Sequence, residues 1–220
     1  MMFRDIGAVI FDMDGTLLDS EHFTMRSIAA ALQRRGRTTD GLVASAFHGV
    51  TWASIVIALN ARFPDLTEPL TEAELHTLFH RLHKEEPPNL VPGAREALLA
   101  AMAAVPTAIC TSSKRTSLTD FLNRMTVPEL GEKSVCADDC TRSKPDPQGY
   151  LLAASRLGVT PDRCLVFEDS VAGVQAARVA GMHVIAVTGC SSNPSGAAAD
   201  AHQSIADYTV LSADYFQSIR

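Results

Sequence analysis

The sequence predicts an α/β fold, a Rossmann-like parallel sheet core with an inserted all-helical cap domain. Two observations predict it. Short, continuous apolar runs with β-branched residues alternate with helical patterns along most of the chain. Between the first run and the second, one long stretch carries helices only. Apolar runs that do not alternate in polarity suit strands covered on both faces, and strands joined through helices give right-handed crossovers and a parallel sheet.

The first strand is Ala8-Val9-Ile10-Phe11. From Ser20 to Pro88 the pattern is helical, with candidates over Glu21–Arg35, Trp52–Arg62 and Glu72–Glu86, closed by Pro87-Pro88. Residues 19–88 are therefore read as the inserted domain, and 1–18 with 89–220 as the catalytic core. The insertion sits over the carboxyl ends of the strands, where open α/β sheets bind ligands. Pro92-Gly93 marks the entrance to a helix over Ala94–Ala104, and Thr107-Ala108-Ile109-Cys110 is the next strand. Ser134-Val135-Cys136 is read as a strand. Asp146 caps a helix that has Pro147 in its first turn and ends at Gly158. Cys164-Leu165-Val166-Phe167 is a strand, a helix from about Val171 to Ala180 stops at Gly181, and Val184-Ile185-Ala186-Val187 is a strand. The Gly/Ser/Ala/Pro-rich stretch Gly189–Ala199 reads as a surface loop before a last short strand near Tyr208–Leu211.

At 220 residues the chain is short for two full domains and fits one core with a smaller insertion. Apolar residues at 46% and charged ones at 20% exclude a disordered chain. A net charge of −6 argues against a nucleic-acid partner. It leaves room for a phosphorylated metabolite, because a metal and one lysine can supply local positive charge. The five cysteines, Cys110, Cys136, Cys140, Cys164 and Cys190, are odd in number and form no Cys-x-x-Cys, so reduced thiols are expected. The apolar run near the N-terminus, about five residues, is too short for a signal peptide, and no stretch approaches the roughly 20 residues of a membrane span. A cytoplasmic monomer is expected, without membrane contact.

Four polar points converge at the sheet edge if they follow strand ends. They are Asp12-x-Asp14-Gly15-Thr16 after Phe11, Thr111 after Cys110, Lys144 in Ser143-Lys144-Pro145-Asp146-Pro147, and Glu168-Asp169 after Phe167. In order and spacing they resemble the four motifs of the haloacid dehalogenase-like superfamily. The runs Asp12–Glu21 and Val166–Ala177 are similar to its branch of β-phosphoglucomutase-like phosphatases, and the helical insertion after the first motif matches as well.

The resemblance implies a Mg2+-dependent phosphatase acting on a small phosphorylated metabolite. It makes Asp12 the nucleophile and a metal ligand, and Asp14 the general acid and base, with its backbone carbonyl on the metal. It assigns Thr111 and the Ser112 N–H to the phosphoryl oxygens, and Lys144 to the charge between phosphate and Asp12. Asp169 completes the metal site, with Glu168 a ligand directly or through water. A carboxylate attacking a phosphate dianion meets charge repulsion that a hard cation with oxygen ligands removes, which is the chemical reason for that set.

Asp14 favours phosphoryl chemistry over dehalogenation, since dehalogenases of the superfamily lack an acid there. The alternative within the branch is a phosphohexose mutase. Those mutases carry an arginine after a segment like His48-Gly49-Val50-Thr51, where this chain has Trp52, and a histidine where it has Thr24. A tryptophan cannot grip a phosphate dianion with a bidentate fork. His48, Gly49 and Trp52 are the expected substrate contacts from the cap, with His22 a further candidate; for Trp52, stacking on a sugar or base stands equally beside a packing role in the cap. His76, His80 and His83 share a helix face at a spacing open to zinc or copper, and a solvated face or a rim near the active-site mouth is the expectation. A degenerate, non-catalytic member would have lost Asp12, Asp14, Lys144 or Asp169, and all four are present.

Overall fold

The apolar runs at residues 8–11, 107–109, 164–168 and 183–187 become strands of a single sheet in the computed structural model, which describes residues 3–47, 50–191 and 193–220. They are β1 (Ala8–Phe11), β2 (Thr107–Ile109), β3 (Cys164–Glu168) and β4 (His183–Val187), joined by an edge strand β5 (Gln203–Ile205). The order is β2-β1-β3-β4-β5, and every pairing is parallel. Strands β1, β2 and β3 are buried along their whole length, as expected for continuous apolar runs. Alternate residues of β1 serve opposite faces. Val9 and Phe11 join one core cluster with Ile109, Leu165 and Phe167, while Ala8 and Ile10 join the other with Val166 and Val184.

Helices α1 (Glu21–Gln33), α2 (Trp52–Arg62) and α3 (Glu72–Glu85) follow β1, close to their expected bounds. They share a core of their own around Phe23, Leu32, Trp52, Leu59, Leu78 and Phe79. The two chain crossings between this helical unit and the sheet lie side by side: Leu18 pairs antiparallel with Leu90, and Asp19 N donates to Asn89 O at 2.9 Å. On the core are α4 (Ala94–Ala104), α5 (Arg115–Met125), α6 (Gln148–Leu157), α7 (Val171–Val179), α8 (Pro194–Asp200) and α9 (Tyr215–Ser218). Asp146 Oδ1 accepts from Gln148 N at 2.9 Å, and Gly158 ends α6 at φ +68°. No described helix is long and apolar enough to cross a membrane. The five cysteines are unpaired.

Three expectations are corrected. Ser134–Cys136 is not a strand: Val135 makes a single parallel bridge to Cys110, and the chain then enters a 3-10 turn over Ala137–Asp139. That turn is favoured because Asp139 Oδ2 accepts from Cys136 N at 2.9 Å. Tyr208–Val210 is a 3-10 turn rather than a strand, started by Asp207 Oδ1 accepting from Thr209 N at 2.9 Å. Its apolar content serves packing, since the Tyr208 ring lies 5.5 Å from Phe167 and 6.1 Å from Phe11. The stretch Gly189–Ala199 contains α8, which Asn193 caps by accepting from Gly196 N at 3.0 Å, with Pro194 in the first turn.

Candidate active site

The first functional turn leaves the sheet at Phe11, and the Asp12 N–H still donates to Phe167 O at 2.9 Å. Gly15 then adopts φ +83°, and a Cβ there would lie 2.2 Å from Asp169 Oδ2, so both conformation and space require glycine. β2 ends one residue before Cys110 and presents Thr111, and β3 presents Glu168 and Asp169. Lys144 arrives differently. It lies in the loop between the Ala137–Asp139 turn and α6, not at a strand end, and its bond to Pro145 is cis.

Lys144 is buried, and its ammonium sits at the centre of the site. Nζ donates to Asp12 Oδ1 at 2.5 Å, to Glu168 Oε1 at 2.6 Å and to Cys110 O at 3.3 Å. Glu168 is fully buried and anchored on every side. Tyr150 OH donates to Oε1 at 3.2 Å, while Ser170 N and Oγ donate to Oε2 at 2.7 and 3.0 Å. A Cβ on Gly173 would lie 1.6 Å from Oε1, so α7 can approach this carboxylate only with glycine there. Burial alone would lower the Lys144 pKa, yet the charges of Asp12 and Glu168 hold it well above its ordinary value.

The carboxylates outnumber that ammonium. One oxygen each from Asp12, Glu168 and Asp169 lies within 4.8 Å of the others. Burial pushes Asp12 up to about 8, with Lys144 opposing. Burial also raises Asp169 well above the carboxylate range, and the like charges of Glu168 and Asp12 add to it. Thr16 Oγ1 donates to Asp169 Oδ1 at 2.9 Å, whereas Asp169 Oδ2 is buried with no partner among the described residues. A buried acceptor left unpaired beside two further carboxylates, all oxygen donors, fits a hard divalent cation.

Asp14 faces hydroxyls instead. Ser20 Oγ donates to its Oδ1 at 2.7 Å and Ser113 Oγ to its Oδ2 at 2.7 Å, with Thr111 Oγ1 at 3.5 Å. Its carboxylate stands outside the three-carboxylate cluster. Neither serine was singled out in the sequence, although Ser113 lies two residues past Thr111 and Ser20 just before α1. Thr111, Ser112 and Ser113 line a small pocket with Asp12 and Asp14, roofed by Phe47, Trp52 and Phe79 of the helical unit. Trp52 is 7% exposed and meets Phe79 edge-on at 5.2 Å, so it packs the helical core while walling the pocket. His48 and Gly49 lie outside the described residues. His22 is half exposed, 3.9 Å from Asp19.

The three helical histidines do not form a solvated row; of the two expected placements the rim fits better, since His80 and His83 line a cleft that Asp14 also lines. His76 and His80 meet through their Nε2 atoms at 3.0 Å, and Ser117 Oγ lies 3.3 Å from His80. His83 is wedged between Phe79, with ring centroids 3.9 Å apart, and Phe23 at 4.7 Å.

A family model for haloacid dehalogenase-like hydrolases matches residues 6–181. The chain belongs to the haloacid dehalogenase-like hydrolase family. Among relatives of this hydrolase, the fructose-1-phosphate phosphatase YqaB of Escherichia coli (strain K12) is 34% identical over 192 residues, covering 84% of this chain and 98% of that one. The validoxylamine A 7'-phosphate phosphatase of Streptomyces hygroscopicus subsp. limoneus is 29% identical, covering 81% and 84%. A solved structure described as a putative β-phosphoglucomutase from Bacteroides vulgatus matches the hydrolase with a TM-score of 0.76 at 27% identity, over 99% of this chain and 91% of that one.

Proposed function

We propose that this chain is a Mg2+-dependent phosphatase that hydrolyses a small phosphorylated metabolite, a sugar phosphate or similar monoester, through an aspartyl phosphate on Asp12. The observation that carries the reading is the contact of Lys144 Nζ with Asp12 Oδ1 at 2.5 Å, beside the unpaired buried Oδ2 of Asp169. A carboxylate so placed is desolvated, charge-compensated and close to a site for a second cation. The two curated relatives are phosphatases by name.

In the first step an Asp12 carboxylate oxygen attacks phosphorus and the ester P–O bond breaks, while Asp14 gives its proton to the departing alkoxide. In the second, Asp14 takes a proton from the water that attacks the aspartyl phosphate, and phosphate leaves with Asp12 restored. Lys144 balances charge on Asp12 and the phosphoryl oxygens, and Thr111 and the Ser112 N–H donate to those oxygens. A Mg2+ ion held by Asp12, Asp169 and the Asp14 carbonyl, with Glu168 directly or through water, would screen the approach of one anion to another. Residues 19–88 act as a cap that excludes water, swinging about the paired crossings near Leu18–Ser20 and Pro87–Pro92. Because Ser20 bonds Asp14, that motion is linked to the acid itself.

A phosphatase is favoured over a mutase because Trp52 stands in place of the mutase arginine and is packed on Phe79. The described residues roofing the Asp12 pocket include no cation to hold a second phosphate. The test is phosphate release from a panel of sugar and nucleoside monophosphates with Mg2+, against an Asp12→Asn control. Release by the wild type alone supports the reading; equal silence of both proteins overturns it. Isomerised hexose phosphate that requires a bisphosphate primer would establish the mutase instead.

A further inference from the structure

A second cleft opens beside Asp14. It lies between α3 and α5, with a cavity volume of about 400 Å3, within the range of small-ligand sites. Asp14 and Phe79 line both this cleft and the smaller Asp12 pocket, so the two meet at the residue proposed to protonate the departing oxygen. If Asp14 acts as that acid, the leaving alcohol projects from the phosphoryl site into the α3/α5 cleft. This step rests on the phosphatase reading.

The cleft's polar groups then decide which alcohols it accepts. Lys84, Asp120 and Arg124 are exposed on its rim and are of both signs, and Arg124 is drawn to Pro88 O at 2.7 Å. His80 is engaged by His76 and Ser117. His83 is different. Its ring is fixed between Phe23 and Phe79, and its Nε2 is buried with no partner among the described residues. A buried ring nitrogen that has given up water without gaining a partner is an incomplete hydrogen bond, and a ligand hydroxyl completes it. Burial also lowers the His83 pKa to about 4, although Asp14 opposes this, which leaves the imidazole neutral at neutral pH. A neutral imidazole with aromatic neighbours suits an uncharged hydroxylated group, not a second phosphate.

We propose that His83 is a specificity-determining residue whose Nε2 hydrogen-bonds a hydroxyl of the leaving alcohol, so that the α3/α5 cleft selects polyhydroxylated monophosphates, the phosphate esters of sugars and alditols.

The test compares His83→Phe, which keeps an aromatic ring between Phe23 and Phe79, with His83→Gln, which restores a polar atom near the Nε2 position. Binding is measured by calorimetry in the Asp12→Asn background with Mg2+, using an alditol monophosphate and phenyl phosphate as probes. His83→Phe should lower the alditol-to-phenyl affinity ratio about tenfold, the worth of one hydrogen bond between neutral groups, and His83→Gln should recover most of it. Equal losses on both probes, or an alditol phosphate bound no better than phenyl phosphate before mutation, overturn the inference. Because the Asp12→Asn protein does not turn over, these outcomes are read independently of hydrolysis. Wild-type release of phosphate alongside an unchanged ratio would sink His83's role and leave the phosphatase standing. A lowered ratio without wild-type hydrolysis would do the reverse.

Discussion

Thr16 and Asp169 stand 153 positions apart in the chain, and the Thr16 hydroxyl donates to Asp169 Oδ1 at 2.9 Å. That bond ties the first functional turn to the last and leaves Oδ2 of the same carboxylate as the unpaired atom facing the site. Thr16→Val removes the donor while keeping the shape. It should destabilise the metal-free protein by about 1–3 kcal/mol, the cost of a buried polar group losing its partner, with Thr16→Ser close to wild type. Denaturant unfolding in EDTA checks this, and no change in midpoint would show that the bond is dispensable.

Lys144→Met should be more damaging. It leaves Asp12 and Glu168 buried without their shared cation, and losing one partner of a buried ion pair costs about 3–5 kcal/mol. Phosphate release should fall to the level of Asp12→Asn. Adding Glu168→Gln to Lys144→Met should restore part of the stability but none of the activity. A double variant no more stable than the single one would contradict the charge explanation.

The raised Asp12 pKa has a definite sign. Its ordinary value is 3.8 and the folded value about 8, so the folded state keeps a proton that the unfolded chain gives up. Stability therefore falls as pH rises between those values and levels off above about 8. His76 and His83 act oppositely over part of that range. Burial lowers both from 6.5 to about 4, so their contribution is complete above 6.5 and is lost as pH falls toward 4. Between pH 6.5 and 8 the histidine contribution is complete, and the raised carboxyls, Asp12 together with Asp169, set the slope. Melting temperature in EDTA should drop across that window, and Mg2+ should flatten the drop by binding the ionised form. A flat profile in EDTA would count against the raised pKa.

Gly15→Ala places a Cβ 2.2 Å from Asp169 Oδ2 and forces a side chain onto φ +83°. Positive φ alone costs on the order of 1–2 kcal/mol, and the clash displaces the carboxylate as well. Mg2+ affinity, followed by metal-induced stabilisation against heat, should fall at least tenfold for a displaced ligand. Wild-type metal response in this variant would exclude Asp169 as a ligand.

Ser113→Ala should release Asp14 Oδ2 from its shorter hydroxyl partner. A hydrogen bond to a charged group is worth about 1.5–3 kcal/mol, so kcat should fall roughly tenfold or more if the bond aligns the acid. KM should move little, because Ser113 is not assigned to the phosphoryl oxygens. A change confined to KM would place Ser113 in binding instead.

Much of the sheet was legible because β1, β2, β3 and β4 are buried, and burial on both faces leaves a continuous apolar run in the sequence. Elements at the margins were not. β5 is an edge strand whose three residues are half exposed or exposed, so its sequence carries no such run. Val135 has the residues of a strand but only one bridge, because Asp139 turns the chain aside. The aromatic content of Tyr208 reflects its contacts with Phe11 and Phe167, not a backbone conformation. Helix α5 went unread because its mixed sequence hides an apolar stripe of Leu118, Phe121, Leu122 and Met125.

By itself the sequence determined the motif order and the parallel sheet, because local patterning carries that information, and its resemblance to the family singled out Asp12, Asp14, Lys144 and Asp169 as candidate site residues. The tertiary structure alone decided which atoms are engaged. Glu168 spends its oxygens on Lys144, Tyr150 and Ser170, while Asp169 keeps one free. His76 and His80 pair with each other, while His83 is left with a buried open nitrogen. Periodicity places three histidines on one helix face. Only the packing of His83 on Phe23 and the approach of Ser117 to His80 separate the satisfied atoms from the open one, since satisfaction depends on partners that are distant in the chain.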